Sequence, residues 1–255
     1  MSFFGIDVFL NKKEDLINAI FDDIDLNEKR AYYAINPDCI LRAKDDREYY
    51  DILKGKKNQV YVDGQWIINT QKFLNLPVAR ERIATTDLFP EMLNIAKKYN
   101  RKVKIFLLGG KEGTTERVIK NMKKVYKEVN FVGSYHGYFD KKLSSEVIEY
   151  INKCNPEILF VGFGCPVQEK WVNENIDKIN ANVFITCGGL FDYYAENVKR
   201  APIWMQENGL EWLFRLIQEP KRLFKRYIFG NIKYLSYIMY LKFRGKKNIE
   251  FKYSK

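Results

Sequence analysis

Asp63 closes the apolar run "VYV" and precedes Gly64. At the rim of a sheet such a carboxylate can take a proton from a bound hydroxyl, and the glycine lets a ligand approach the backbone closely. A turn-forming Asp-Gly has the same composition, so both readings stand at this point. The stretch "LLGGKEGTTE" joins an apolar run to a helix start through Gly109, Gly110 and Gly113. Backbone N–H groups and a helix dipole in that arrangement hold a phosphate; a tight packing turn is the alternative. It is neither G-x-G-x-x-G nor a Walker loop. In "GFGCPVQEKW", Gln168 and Glu169 follow a third apolar run. A side-chain amide there can bind sugar hydroxyls or a pyrophosphate, or the segment simply opens a helix behind Pro166. Gly188-Gly189 with Asp192 forms a fourth such end.

Other reactive residues carry less. His136 is the single histidine, and it reads as a loop residue, so a Ser-His-Asp arrangement or a His-rich metal site has little to build on. Asp23 and Asp25 in "DDIDL" have cation-ligand spacing but lie in a polar N-terminal region, where a solvated acidic turn is expected. Cys39, Cys154, Cys165 and Cys187 form no C-x-x-C pair, and the N-terminus shows no charged leader before a sustained apolar run; a reduced cytoplasmic protein is expected.

The elements that must position these residues follow from periodicity. "KRAYYAIN", "QVYVDGQWII", "KVKIFLLGG", "VNFVGSYHGYF", "EILFVGFG" and "NVFITCGGLFD" read as strands, some running into turns. Between them, "PDCILRAKDDREYYDILKG", "TTDLFPEMLNIAKKYN", "GTTERVIKNMKKVY", "SSEVIEYINKCN" and "PVQEKWVNENIDKIN" read as helices. Thr86 or Asp87 is expected to cap the second helix, and Ser144 or Ser145 the fourth. Strands alternating with crossover helices imply an α/β fold, a mostly parallel sheet covered on both faces. Ligands then sit beyond the carboxyl ends of the strands, where the four glycine-bearing ends converge.

After about residue 198 the strands stop. From Lys199 onward there are 14 basic residues against 4 acidic ones, so the tail carries nearly all of the chain's +11. Charge clustered in this way points to a polyanion, either nucleic acid or an anionic membrane surface. In "GLEWLFRLIQEPKRLFKRYIFG", Arg215, Arg222 and Arg226 share a helix face while Leu, Phe, Tyr and Ile cover much of the rest, and Pro220 separates two helical pieces. That mixture suits a water–lipid boundary. No run of about 18 apolar residues is uninterrupted, so a transmembrane span is not expected.

Taken in order, "VDGQWI", "TTDLFP", "FLLGGKEG", "GFGCPVQEKW" and the run from "CGGLFDYY" to "LFKRY" resemble the WecG/TagA/CpsF glycosyltransferases over roughly residues 30–230. The resemblance implies a Rossmann-like core of the GT-E type, 1–197, followed by a basic, helical, membrane-associating appendage, 198–255. It further implies inverting, metal-independent transfer from a UDP-sugar to a polyprenyl-diphosphate-linked glycan, with no cofactor, by a peripheral protein on the cytoplasmic membrane face. Asp63 would be the general base. Gln168, Asn36, Thr86, Asp87, Gly109, Gly110, Gly188 and Asp192 would meet substrate, and Arg215, Arg222 and Arg226 the diphosphate. Two departures stand out: Ala34, where the family often has Thr, and Glu196, where it commonly has Gly. Members of the family self-associate, and nothing in this chain decides whether it does.

Two other functions compete. A nucleic-acid-binding module fits the basic tail, but the tail carries no nucleic-acid motif, and no nucleic-acid partner is expected. An NAD-dependent oxidoreductase fits the glycine turn but lacks both the fingerprint and an acid closing "VNFVGS".

Overall fold

The computed structural model describes residues 2–244 together with Glu250, Phe251 and Tyr253. Lys246, Lys247, Lys252 and Lys255 of the basic tail lie outside the described residues. The strands are β1 (Ser2–Phe3), β2 (Ile6–Phe9), β3 (Arg30–Ile35), β4 (Asn58–Val62), β5 (Lys104–Gly109), β6 (Asn130–Tyr135), β7 (Ile158–Gly162) and β8 (Val183–Thr186). The helices up to the last strand are α1 (Lys13–Asp25), α2 (Pro37–Asp45), α3 (Arg47–Leu53), α4 (Gln65–Phe73), α5 (Thr85–Lys98), α6 (Thr114–Val125), α7 (Ser145–Cys154) and α8 (Val167–Asn175). After it come α9 (Leu190–Tyr194), α10 (Ile203–Glu207), α11 (Glu211–Gln218), α12 (Pro220–Phe224), a π-helical turn (Lys225–Phe229) and α13 (Gly230–Phe243).

Among the described residues eight strands form one sheet in the order β1-β2-β4-β3-β8-β7-β5-β6, parallel except for the β1–β2 edge pair. Side chains alternate across it, so successive residues enter opposite cores. Tyr33, Val60, Val62, Leu108 and Val161 pack on one face, with α2, α3 and α8 supplying Ile40, Tyr49 and Trp171. Tyr32, Tyr61, Leu107, Phe160 and Ile185 pack on the other, beneath α1, α5 and α6. Burial on both faces explains why the central strands read as continuous apolar runs.

Several boundaries differ from the sequence reading for identifiable reasons. The strand ending at Val62 does not continue: "QWII" opens α4, which buries Ile67, Ile68 and Thr70. The long helix after β3 is two helices, because Asp46 ends α2 and its carboxylate accepts from the Tyr49 N–H at 3.0 Å to start α3. Helix α5 begins at Thr85 behind Ala84, so neither Thr86 nor Asp87 caps it. Ser144 occupies the cap position of α7, but its hydroxyl donates to the Lys141 carbonyl and accepts from Trp171 Nε1 instead. "DDIDL" is the end of α1 and not a solvated turn. Asp23 is buried there, accepting from the Tyr32 hydroxyl at 2.5 Å and Arg30 Nε at 2.9 Å. Glu196 adopts φ 60°, a left-handed backbone that glycine reaches without a Cβ penalty. The departure at that position therefore concerns the turn after α9.

The tail is not detached from the body. Tyr234, Ile238, Leu241 and Phe251 are buried in the first core, and the hydroxyls of Tyr234 and Thr70 hydrogen-bond at 2.8 Å. Phe251 stacks on Phe4 with centroids 5.2 Å apart. Among the described residues no helix is long and apolar enough to cross a membrane.

Asp23→Asn keeps the volume but replaces a buried charge-assisted acceptor with a neutral amide. It should lower unfolding free energy by about 2–3 kcal/mol in urea titrations. A loss below about 0.5 kcal/mol would mean that Arg30 and Tyr32 gain nothing from it.

Candidate active site

The carboxyl ends of β3, β4, β5, β7 and β8 open onto a cleft of ≈ 1230 Å³, roofed by α11, α12 and the π-helical turn. A smaller cavity of ≈ 360 Å³ lies at the amino end of β5 under Met92, Leu93 and Tyr126, away from every strand-end motif.

Asp63 stands on the floor of the large cleft. Its N–H donates to the Ile35 carbonyl at 2.9 Å, and the Ile83 N–H donates to the Val62 carbonyl at 2.8 Å. The strand end is thus held between β3 and the loop that carries Arg82. Asp63 is only half-buried by surface because one side opens to the cleft, yet protein encloses the carboxyl elsewhere. That enclosure removes water and pushes its pKa up to about 7. Arg82 and Arg200 pull it down, while Glu211 and Asp87 push it up. The two arginines do not prevail because their charge is shared. Arg82 Nη2 donates to Glu211 Oε2 at 2.7 Å, and Arg200 Nη1 pairs with Asp87 Oδ1 at 2.6 Å while its Nε approaches Glu211 Oε1 at 3.5 Å. A carboxyl titrating near neutrality exists partly as a base and is basic enough to accept a proton.

Above it, Arg215 is largely buried, with its guanidinium 4.9 Å from the Tyr193 ring centroid and against Gly189, where any side chain would collide with it. Arg215 Nε has no hydrogen-bond partner and only a 3.5 Å approach to Glu219. Arg222 pairs with Glu219 at 2.6 Å and Arg226 with Asp38 at 3.1 Å. All three arginines line the cleft. The arrangement is a raised-pKa carboxyl on the floor and guanidinium groups in the roof, suited to proton abstraction beside an anionic group.

Most residues singled out from the sequence meet here. Asn36, Asp63, Thr86, Gly110, Gln168, Gly188, Asp192, Arg215, Arg222 and Arg226 all line the cleft. Asn36 also caps α2 by accepting from the Cys39 N–H, and Asp192 accepts from Asn197 Nδ2. Gly109 and Asp87 stand outside the lining: Gly109 packs on the backbone of Gly162, and Asp87 turns to Arg200. Sequence reasoning missed Arg82, Arg200 and Glu211 as neighbours of Asp63. Arg82 sits in an aperiodic stretch with no signal of its own, while Arg200 and Glu211 were visible only as members of the charged tail. Ala34 also faces the cleft, offering a methyl where a hydroxyl was expected. Among the described residues no group of three or more His, Cys, Asp or Glu side chains is placed to hold a metal ion.

The model of the glycosyl transferase WecG/TagA/CpsF family matches residues 1–248. The chain belongs to that family. This glycosyltransferase is similar to an N-acetylglucosaminyldiphosphoundecaprenol N-acetyl-beta-D-mannosaminyltransferase of Bacillus subtilis (strain 168), 35% identical over 188 residues, which cover 74% of this chain and 71% of the relative. The enzyme of the same name from Staphylococcus aureus (strain MW2) is 27% identical over 215 residues, covering 84% and 80%. The matches extend the family well beyond the strand-end motifs.

A carbon-13 titration of the glycosyltransferase's side-chain carboxyls should find Asp63 half-protonated near pH 7, protonated below and ionised above. Arg82→Gln removes an attractive charge and should move that midpoint to higher pH. A midpoint near 4, the usual carboxylate range, would contradict the enclosure described here.

Proposed function

We propose that this glycosyltransferase moves a sugar, such as N-acetylmannosamine, its uronic acid or a hexose, from a UDP-sugar to a polyprenyl-diphosphate-linked glycan. The product would enter a surface polysaccharide of the cell envelope: a teichoic acid, capsule, exopolysaccharide or common antigen. The observation that carries the reading is that Asp63, with its raised pKa, and the three arginines line one cleft. The family and the activity of the Bacillus and Staphylococcus relatives support it.

In the proposed reaction Asp63 takes the proton of the acceptor hydroxyl as that oxygen attacks the donor's anomeric carbon from the face opposite UDP. The C–O bond to UDP breaks in the same displacement, and inversion needs only this one base. Charge grows on the departing diphosphate. Arg215, Arg222 and Arg226 are the candidates to neutralise it without a metal, exchanging Glu219 and Asp38 for phosphate oxygens. Asn36, Thr86, Gly110, Gly188 and Asp192 would contact the substrates along the rim.

We divide the chain into a GT-E-type core, 1–197, and an appendage, 198–255, that rests on the cytoplasmic face of the membrane. Ile217, Phe224, Phe229, Ile232 and Phe243 are exposed on the appendage beside Lys221 and Lys225, a composition suited to the headgroup boundary. Its charges also pair inward, Arg226 to Asp38 and Lys233 to Asp45, which favours a site over a uniform nucleic-acid-binding face.

Asp63→Asn should cut transfer from a UDP-sugar to lipid-linked acceptor by on the order of 100-fold or more. Retention of most of the rate would remove Asp63 as the base. Because the tail shares the core, membrane binding is better tested by point changes than by truncation. Replacing Phe224, Phe229 and Ile232 with Ser should abolish co-sedimentation with anionic liposomes while leaving the melting temperature within a few degrees; unchanged co-sedimentation would place the contact elsewhere.

A further inference from the structure

One oxygen atom joins the two glycine turns at the centre of the cleft. Gln168 Oε1 accepts from the Gly164 N–H at 3.0 Å and from the Gly188 N–H at 3.2 Å. Gly164 belongs to the turn after β7 and Gly188 to the turn after β8, two neighbouring strands of the sheet. Both glycines have positive φ, 88° and 51°, so these turns take conformations that other residues rarely adopt. An amide has one acceptor end and one donor end. Only one of its two orientations presents oxygen to both N–H groups; the flipped amide would set donor against donor.

Glu169 selects that orientation. Its Oε1 accepts from Gln168 Nε2 at 2.8 Å, a bond that exists only when the amide oxygen faces the turns. Gln168 and Glu169 are both almost fully buried, so water does not replace a lost partner easily. Burial pushes the Glu169 pKa up to about 7, while hydrogen bonds from the Gln168 amide first, then from its own backbone and from the Thr186 and Cys165 side chains, pull it down, as expected for donors that favour the ionised acceptor.

The consequence reaches the roof. Gly189, next to Gly188, is the seat against which the Arg215 guanidinium rests, and a side chain there would displace the guanidinium from its present position. We propose that Glu169 is a positioning residue: it orients the Gln168 amide so that Gln168 straps the Gly164 and Gly188 turns together and thereby holds the seat of Arg215. The consequence for substrate rests on the reading of the cleft as a UDP-sugar site; the strap itself does not. Gln168 then serves the site through the backbone it ties, with its oxygen already spent on two N–H groups.

The test compares the full-length wild type, Glu169→Gln and Glu169→Ala, reading amide hydrogen exchange at Gly164 and Gly188 by nitrogen-15 NMR and UDP affinity by calorimetry. Glu169→Gln keeps an oxygen able to accept from Nε2 and should stay within about threefold of wild type in both readouts. Glu169→Ala should exchange both amides about tenfold faster and bind UDP about tenfold more weakly, with KM for the donor rising more than kcat falls. If Glu169→Ala does not fold, Gln168→Leu removes the acceptor and should loosen the same two amides. Amides unchanged in the folded variants overturn the strap whatever the cleft binds, and a lower melting temperature alone, with UDP affinity intact, overturns the positioning role. Loosened amides in a protein whose wild type does not bind UDP would instead support the strap and overturn the donor assignment.

Discussion

A carboxyl group that is reachable from the cleft yet held near neutrality by its surroundings is the feature on which the other parts of the site converge. In open water a carboxylate accepts protons poorly at neutral pH. Asp63 escapes that limit because β4 carries it to a floor that protein encloses on every side but one. The price would be an unstable buried charge, and the surrounding pairs moderate it. Arg82 and Arg200 attract the ionised form, while Glu211 and Asp87 hold those arginines and keep the attraction incomplete. The balance leaves the carboxyl near neutrality, where either protonation state is accessible.

That balance joins parts of the chain that are distant in sequence. Arg82 lies before α5, Arg200 before α10, and Glu211 opens α11, so the environment of Asp63 exists only once the tail folds over the sheet. The same folding brings Arg215, Arg222 and Arg226 to the roof and buries Tyr234, Ile238 and Leu241 in the core. The tail therefore completes the cleft as well as presenting apolar side chains to solvent. Its closing contacts are polar and partly exposed in the roof but apolar and buried farther along.

The fold was legible where periodicity reports it. Six of the apolar runs became parallel strands because burial on both faces leaves an unmistakable composition, and glycine at their ends marked the rim. The edge pair β1–β2 was not legible, since a two-residue strand carries little pattern; α1 was passed over although Leu16, Ile17, Ile20 and Phe21 stand at helical spacing, because its Asp-rich end drew the reading of a polar region. Asp23 looked solvated for the same reason: its burial depends on Tyr32 and Arg30 from the next strand, a tertiary partner. In the site, residues on strand ends and in the arginine run were readable from their neighbours in sequence. Arg82 and the Gln168–Glu169 geometry were not, because what they do is set by partners twenty or more residues away or by the orientation of a single amide.

The central claim is that one carboxyl, Asp63, drives a single displacement. The anomeric configuration of the isolated product, read by proton NMR, tests it most directly. With an α-linked UDP-sugar as donor the product should be β-linked, the outcome of one inversion. An α-linked product would mean retention, by double displacement or by attack from the face that UDP leaves, and would contradict the account.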